Sequence, residues 1–312
     1  MNKTAFIFPG QGSQYAGMGK SIAGAYPEAK DVFERADRAL GFSLSDLCFE
    51  GPGEELKLTE NTQPAILATS IAVERVLAQK GVVPDFVAGH SLGEYSALVT
   101  AGSLGLESAL TLVRKRGRYM QEAVPVGVGA MAAILGLAAD EVGEICRRAA
   151  EGEVVEPANF NGGGQVVIAG HRAAVERVSA LAKESGARRT IPLPVSAPFH
   201  CQLMKPAADR LSRDLQATEF SNLQMPLVTN VDAIPITESS DARSGLERQV
   251  ASPVRWEASI HRLVEEGVTR FIEVGPGRVL AGLLRKIHKQ ANVASIEKPE
   301  SLDKLLEELS SG

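Results

Sequence analysis

The sequence has few cysteines and few aromatic side chains. Its three cysteines are Cys48, Cys146 and Cys201, and aromatic residues make up 5% of the chain. Three irregularly spaced cysteines are too few for a disulfide framework or a zinc site, and an odd number fits a reducing compartment. We therefore expect a soluble, cytoplasmic protein without a disulfide framework or a metal site.

Long apolar runs and long runs of like charge are also missing. Nowhere do about 18 apolar residues follow one another, and the apolar run Ala5 to Phe8 is too short for a signal peptide. The 33 basic and 38 acidic residues are interspersed and give a net charge of -5. This balance argues against a nucleic-acid or membrane surface as the partner.

The apolar residues follow an α/β pattern. The chain has 312 residues, of which 44% are hydrophobic, and a single core stops growing at roughly 250 to 300 residues, so we expect two lobes. Short apolar strands at Thr4–Phe8 and Asp85–Ala88 alternate with helical periodicity, which begins at Thr62 with Pro64 in the first turn. Such alternation predicts a parallel sheet covered by helices on both faces.

The pattern changes between residues 127 and 194. The predicted elements there are the strands 130–135, 154–160, 165–169 and 189–193 and the helices 140–150 and 173–185. This βαββαβ order is that of a ferredoxin-like unit. The α/β pattern resumes afterwards, with strands at 227–229 and 271–274. We therefore expect a main lobe formed by residues 1–126 and 195–312 and an inserted lobe formed by residues 127–194.

A serine between two glycines follows the second predicted strand. Gly89-His90-Ser91-Leu92-Gly93 fits the pattern G-x-S-x-G and leads directly into a helical pattern. In a nucleophile elbow this tight turn strains the serine, and only small neighbours leave room for it. The turn also places the hydroxyl at a helix N-terminus and at the carboxyl end of a strand. An ordinary glycine-rich turn is the alternative, but the strand and helix on either side favour a nucleophile.

A serine nucleophile needs a base, and the chain has five histidines. His90 adjoins the serine, but adjacent side chains on an extended segment point to opposite faces. The histidines at 171, 261 and 288 lie in or beside predicted helices. His200 ends an irregular segment where the inserted lobe returns to the main one, and catalytic groups gather in such loops. Position alone therefore favours His200, with a buried structural histidine as the alternative.

One arginine of the predicted helix 106–122 lies on its apolar face. The neighbours of Arg116 at spacings of three, four and seven are apolar or aromatic, whereas those of Arg118 are mostly charged. A buried guanidinium needs a partner. From the residues alone an internal salt bridge is the favoured interpretation, and a fork aimed at an acidic substrate is the alternative.

Five motifs occur together in order along the chain. They are Phe8-Pro-Gly-Gln-Gly-Ser13, Gly89-His-Ser-Leu-Gly-Glu94, Arg116-Gly117, Pro198-Phe-His200, and Gln249 ahead of Pro253-Val254. With these motifs the sequence resembles the malonyl-CoA:acyl carrier protein transacylases of fatty-acid synthesis over nearly its whole length. The joint spacing of the five is far more specific than any one of them.

The resemblance implies an α/β-hydrolase-like main lobe with a ferredoxin-like insert. It also implies a malonyl transfer from malonyl-CoA to the phosphopantetheine thiol of acyl carrier protein, without a metal or organic cofactor. The roles that it implies are Ser91 as nucleophile, His200 as base, Arg116 as clamp on the malonyl carboxylate, the backbone amides of Gln11 and Leu92 as oxyanion hole, and Gln249 beside the base. For Arg116 the resemblance favours the substrate clamp over the salt bridge.

Two further expectations concern selectivity and docking. Phe199 precedes the base in a segment that varies among related acyltransferases with the extender unit accepted, and its bulk favours malonyl over methylmalonyl. An acidic carrier would be guided by a basic patch near the crevice, for which Arg188, Arg189 and exposed members of the Arg114–Arg118 cluster are candidates. Ordinary solvated charges are the alternative for each of them.

Three other functions share these features. A serine hydrolase or thioesterase could use the same elbow, although no Asp or Glu between the serine and the histidine is marked as a triad acid. An acyltransferase of polyketide assembly or malonate metabolism would differ in donor and carrier. A non-enzymatic interaction module would not need Ser91.

Overall fold

Two β-sheets run through the part of the chain that the computed structural model describes, residues 3–195 and 197–310. The strands are β1 (Lys3–Phe8), β2 (Phe86–Gly89), β3 (Gly129–Leu135), β4 (Val155–Gly162), β5 (Gln165–His171), β6 (Arg189–Pro192), β7 (Leu227–Val228), β8 (Pro235–Ile236), β9 (Val268–Val274) and β10 (Asn292–Ile296).

Helices surround both sheets. They are α1 (Lys20–Ala25), α2 (Pro27–Leu40), α3 (Leu44–Phe49), α4 (Gly53–Leu56), α5 (Thr59–Gln79), α6 (Gly93–Thr100), α7 (Leu106–Glu122), α8 (Ala139–Ala149), α9 (Arg172–Glu184), α10 (Lys205–Ala217), α11 (Ser239–Gln249), α12 (Trp256–Glu265), α13 (Val279–Ile287) and α14 (Pro299–Ser310). A 3-10 turn at Gln202–Met204 precedes α10. None of the helices formed by the described residues combines the length and hydropathy that a bilayer span requires.

The larger sheet has the strand order β10-β9-β1-β2-β7-β8. All neighbours pair in parallel except β8, which is antiparallel to β7 at the edge. The prediction of a parallel sheet is confirmed, but β8 was not predicted, because a two-residue strand carries no periodic pattern. Along β1, Phe6 and Phe8 pack with α5 and α7, whereas Ala5 and Ile7 pack with α12 and α13. Both faces of the sheet are therefore covered, as the alternation of strands and helices predicts.

The smaller sheet has the order β4-β5-β3-β6, and every pair of neighbours is antiparallel. This is the topology expected for a ferredoxin-like unit. Ile134 and Ile168 face α8 and α9, whereas Met131 and Val167, an odd number of positions away on the same strands, belong to the core of the main sheet's helices. One face of the smaller sheet is thus packed on the rest of the molecule. The boundaries 1–126, 127–194 and 195–312 stay a prediction, which the separate stretches used by the two sheets support.

One predicted boundary is wrong by a turn. Helix α5 begins at Thr59 rather than Thr62, so Pro64 lies inside the helix and not in its first turn. The amides of Asn61 and Thr62 both donate to the carbonyl of Leu58, which closes an additional turn before the proline. Strand β10 and helix α14 were not assigned from the sequence either.

Candidate active site

The predicted elbow is present between β2 and α6. Ser91 has a φ of 52°, in the left-handed region that a non-glycine residue seldom adopts. A Cβ at Gly89 would lie 1.9 Å from the carbonyl carbon of Gly93, and one at Gly93 would lie 2.0 Å from the oxygen of Phe8. Since no side chain fits at either position, the two glycines allow α6 to begin against the ends of β1 and β2.

The hydroxyl of Ser91 contacts the imidazole of His200. Ser91 Oγ lies 2.7 Å from His200 Nε2, and His200 Nδ1 lies 2.9 Å from the backbone oxygen of Gln249. A carbonyl only accepts, so Nδ1 carries the proton and Nε2 is left to accept one from the serine. This is the geometry that a general base needs.

The surroundings keep this imidazole neutral. His200 is 4% exposed, and burial lowers its pKa to about 3, with the positive charge of Arg116 acting in the same direction. A base that is neutral near pH 7 can accept a proton without first losing one.

This lowered pKa predicts a pH-dependent loss of stability. In the unfolded chain the histidine takes up a proton below its ordinary pKa of about 6.5, whereas in the folded chain it stays neutral down to about pH 3. The contribution of His200 to stability is therefore fully present above about pH 6.5 and is lost as the pH falls. Between about pH 7 and pH 5 the wild type should lose about 1 to 2 kcal/mol more unfolding free energy than His200→Asn.

Urea unfolding at the two pH values measures this difference. The matched control is His261→Asn, since His261 is exposed on α12. It should change with pH as the wild type does. Equal pH dependence for His200→Asn and the wild type would contradict a buried neutral imidazole.

The other histidine near the serine bonds to a different partner. His90 Nε2 lies 2.9 Å from Oδ1 of Asn161 on β4, and the ring packs near Trp256. His90 also borders the cavity that Ser91 faces, but its hydrogen-bond partner is Asn161 and not the serine. The bond to Asn161 links the elbow to the smaller sheet.

Arg116 is buried beside the same hydroxyl. It is 1% exposed, and its Nη2 donates to Ser91 Oγ at 3.1 Å and to Gln249 Oε1 at 3.0 Å, while Nη1 donates to Gln63 Oε1 at 2.8 Å. Among the described residues its hydrogen-bond partners are all neutral. The salt bridge favoured by the residues alone is therefore not found in the part of the chain described, and the guanidinium points its charge at the serine.

Two backbone amides lie beside Ser91 without an acceptor. Gln11 follows β1 and Leu92 precedes α6, and neither amide donates to a protein group among residues 3–195 and 197–310. Both residues line the cavity that Ser91 faces. An unpaired amide at a helix N-terminus, as at Leu92, together with one from the loop after β1 suits a developing oxyanion.

A cavity of about 110 Å³ joins these groups. Phe199 lies in its wall with Met131 and Val195, so residues that precede the base border the cavity that Ser91 faces. Its lining residues are Gln11, Gln63, His90, Ser91, Leu92, Arg116, Met120, Met131, Asn159, Leu193, Val195, Phe199 and His200. The described residues contain no cluster of three or more His, Cys, Asp or Glu side chains placed to hold a metal ion.

The candidate docking residues lie outside this cavity. Arg188 and Arg189 are exposed at the start of β6, where Arg189 is paired with Leu135. Leu135 is four residues along β3 from Met131 of the cavity wall, a distance of about 13 Å in a strand. Within the Arg114–Arg118 cluster only Arg118 is exposed. Arg114 packs on Phe42, and the amine of Lys115 is paired with a carboxylate. These docking assignments stay predictions.

Three residues that sequence reasoning missed hold the site together. Asn230, just after β7, accepts from the Ser91 amide at 2.7 Å and donates to the oxygen of Gly89 at 2.6 Å. Gln63 accepts from Arg116, and Glu94 accepts from Nε2 of Gln249 at 2.6 Å. Asn230 could have been found from its position at the carboxyl end of a parallel strand, where ligand sites form.

A half-buried serine, a neutral base and two backbone amides without an acceptor, at the carboxyl ends of parallel strands, are features of an acyl-transferring site. The family model of the acyl transferase domain matches residues 5–306, and the chain belongs to this family.

Relatives that match nearly the whole chain indicate a particular group within the acyl transferase family. Malonyl CoA-acyl carrier protein transacylase of Bacillus subtilis is 50% identical over 310 residues, which are 99% of this chain and 98% of the relative. The crystal structure of an acyl carrier protein S-malonyltransferase from Vibrio cholerae has a TM-score of 0.96 at 48% identity and covers 97% of this chain and 100% of its own. The chain therefore belongs to the malonyl CoA-acyl carrier protein transacylases.

A second solved structure is similar to the same degree. It is a malonyl-transacylase in complex with its type II PKS acyl-carrier protein, with a TM-score of 0.96 and 46% identity over 98% of this chain and 100% of its own.

Proposed function

We propose that the protein moves a malonyl group from malonyl-CoA to the phosphopantetheine thiol of acyl carrier protein by way of an ester on Ser91. The observation that carries the proposal is that one hydroxyl, Ser91 Oγ, lies within hydrogen-bond distance of both a neutral base and an unpaired guanidinium. The first feature supports acyl transfer, and the second supports an acyl group that carries a carboxylate.

In the first half-reaction, Ser91 Oγ attacks the thioester carbon of malonyl-CoA. Its proton passes to Nε2 of His200, and the negative charge moves to the carbonyl oxygen, where the amides of Gln11 and Leu92 stabilise it. Collapse of this intermediate breaks the carbon–sulfur bond and releases CoA with the proton from His200. Each oxyanion donor contributes about 2.7 to 4 kcal/mol, and the base about 10² to 10⁴ in rate.

In the second half-reaction, the thiol of the carrier's phosphopantetheine attacks the ester. His200 accepts the thiol proton and returns it to Ser91 as the ester bond breaks, so the enzyme leaves the cycle unchanged. The route uses side chains and backbone amides alone, and it calls for no metal or organic cofactor.

Arg116 selects the acyl group in this proposal. Its fork would pair with the free carboxylate of malonyl, while Gln63 and Gln249 hold the guanidinium from behind. An acetyl group would leave the buried charge without a partner, which a site of this kind penalises. The wall formed by Phe199 supports malonyl over a 2-methyl branched donor.

The environment of His200 also bears on hydrolysis. A hydrolase triad uses an Asp or Glu to stabilise the imidazolium. Here Nδ1 faces the backbone carbonyl of Gln249, and the nearest carboxyl group of the elbow, Glu94, is bonded to the Gln249 side chain instead. This arrangement supports transfer to a thiol.

We place the reaction in the cytoplasm. The three cysteines are free and buried, which fits a reducing compartment. The carrier would approach over exposed basic residues, for which Arg188 and Arg189 remain the candidates.

Intact-mass analysis after mixing the enzyme with malonyl-CoA alone tests the proposal. One malonyl group should be gained, and peptide mapping should place it on Ser91. Addition of carrier thiol should then remove the group much faster than water does. Release of malonate by water at the rate of capture by the carrier would identify a hydrolase instead.

A further inference from the structure

A carboxyl group lies buried behind the elbow, where the proposed reaction does not use it. Glu94, in the first turn of α6, is 2% exposed. It accepts from Nε2 of Gln249 at 2.6 Å and from the amide of Asn230 at 3.3 Å. Burial raises its pKa to about 7, against the hydrogen bonds from Gln249 and Asn230 and the charge of Arg116. Burying a carboxyl among neutral donors is costly, so its placement calls for an explanation.

The contact with Gln249 has a directional consequence. The two ends of a glutamine amide are nearly equal in shape, and only hydrogen-bond partners decide which way it faces. The Glu94 carboxyl oxygen accepts from Nε2 of Gln249 at 2.6 Å, and the backbone oxygen of Ser91 accepts from the same nitrogen at 3.0 Å, so the amide nitrogen faces this side. Its oxygen is then left to accept from Nη2 of Arg116, at 3.0 Å. If the amide turned round, two donors would face each other at the guanidinium.

The same arrangement balances the positive charge of Arg116 without occupying the side of its guanidinium that would bind the substrate. A carboxylate bonded directly to Arg116 would occupy the guanidinium face that the substrate needs. Glu94 instead sits one residue behind it, with Gln249 between the two. The buried positive charge is thereby offset, while Nη2 still reaches Ser91 Oγ.

We propose that Glu94 is a positioning residue, which acts through the Gln249 amide to hold the Arg116 guanidinium toward Ser91 and to balance its charge. This inference rests on the proposed function, because it assumes that Arg116 recognises a malonyl carboxylate. It predicts an effect on the choice of acyl group. A merely structural support of the elbow, acting through Asn230, would change the transfer of every acyl group alike.

Glu94→Gln tests this, since it keeps the shape and removes the charge. Single-turnover acylation of Ser91 should be measured with malonyl-CoA and with acetyl-CoA. The preference for malonyl should fall about 10- to 100-fold, as expected when a hydrogen-bonded charge is lost, and acetyl acylation should change by about 3-fold or less.

Glu273→Gln is the matched control. Glu273 is also fully buried, on β9, but accepts from the amides of Leu280 and Ala281 at the start of α13. Its substitution should leave the preference unchanged. Glu94→Asp keeps the charge, so its preference should lie closer to the wild type than that of Glu94→Gln, and the reverse order would contradict the proposal even if both variants were less stable.

A double-mutant cycle separates this inference from the proposed clamp. In an Arg116→Ala background, Glu94→Gln should have no further effect on the preference, because the group through which it acts is gone. A full additional loss there, or equal losses for both acyl groups in the single variant, would overturn the role of Glu94. If Arg116→Ala itself left the preference unchanged, the clamp would fail, whatever Glu94→Gln did.

Discussion

Ser91→Ala is expected to lower malonyl transfer by at least about 10⁴-fold, the scale of loss on removing a serine nucleophile that works with a base. In the described part of the chain no other hydroxyl bonds to Nε2 of His200, from which Ser91 Oγ lies 2.7 Å away. Malonyl-CoA consumption and carrier malonylation, followed by mass spectrometry, measure the loss. The variant should also gain no acyl group when mixed with malonyl-CoA.

Ser96→Ala provides the matched control for this substitution. Ser96 is a buried serine of α6, five residues further along, and its hydroxyl has no hydrogen-bond partner among the described residues. It should retain transfer at nearly the wild-type rate. Substantial turnover by Ser91→Ala, or acylation at another residue, would refute the assignment of the nucleophile.

Arg116→Ala is expected to lower malonyl transfer by about 10³-fold or more and acetyl transfer by about 10-fold or less. The difference arises because a site built around a polar partner strongly discriminates between ligands that do and do not supply it. Comparison of kcat/KM for the two donors measures the change in preference. Arg116→Lys should recover little of the preference, since an ammonium lacks the planar fork.

The control for Arg116 lies two positions further along the same helix. Arg118 is half exposed and faces away from the cavity, so Arg118→Ala should leave the preference between donors unchanged. Equal losses for malonyl and acetyl in Arg116→Ala would show that this arginine supports the serine rather than the substrate.

Short-range patterns in the sequence were enough to predict the frame of the molecule. The elbow follows from glycines two residues on either side of Ser91, and the ferredoxin-like unit follows from the order of its periodic segments. Helix α7 was predicted with its observed bounds, and with it the burial of Arg116. All of these depend on residues close together in the chain.

The remaining parts of the site depend on distant contacts. Gln249 orients His200 through a backbone oxygen, which its residue type does not reveal, and its side chain meets Glu94 across 155 positions of sequence. Asn230 supports Ser91 across 139 positions. Single-sequence patterns contain no information on such pairings, whereas the resemblance to a known family did point to Gln249.

The position of Arg116 beside the imidazole links base strength to occupancy of the site. Its positive charge disfavours the imidazolium while the cavity contains no anion. In the proposed complex the free carboxylate of the malonyl group offsets part of the positive charge of Arg116. His200 therefore takes the serine proton more readily with malonyl bound than with acetyl. Discrimination between donors then enters through the rate of proton transfer as well as through affinity.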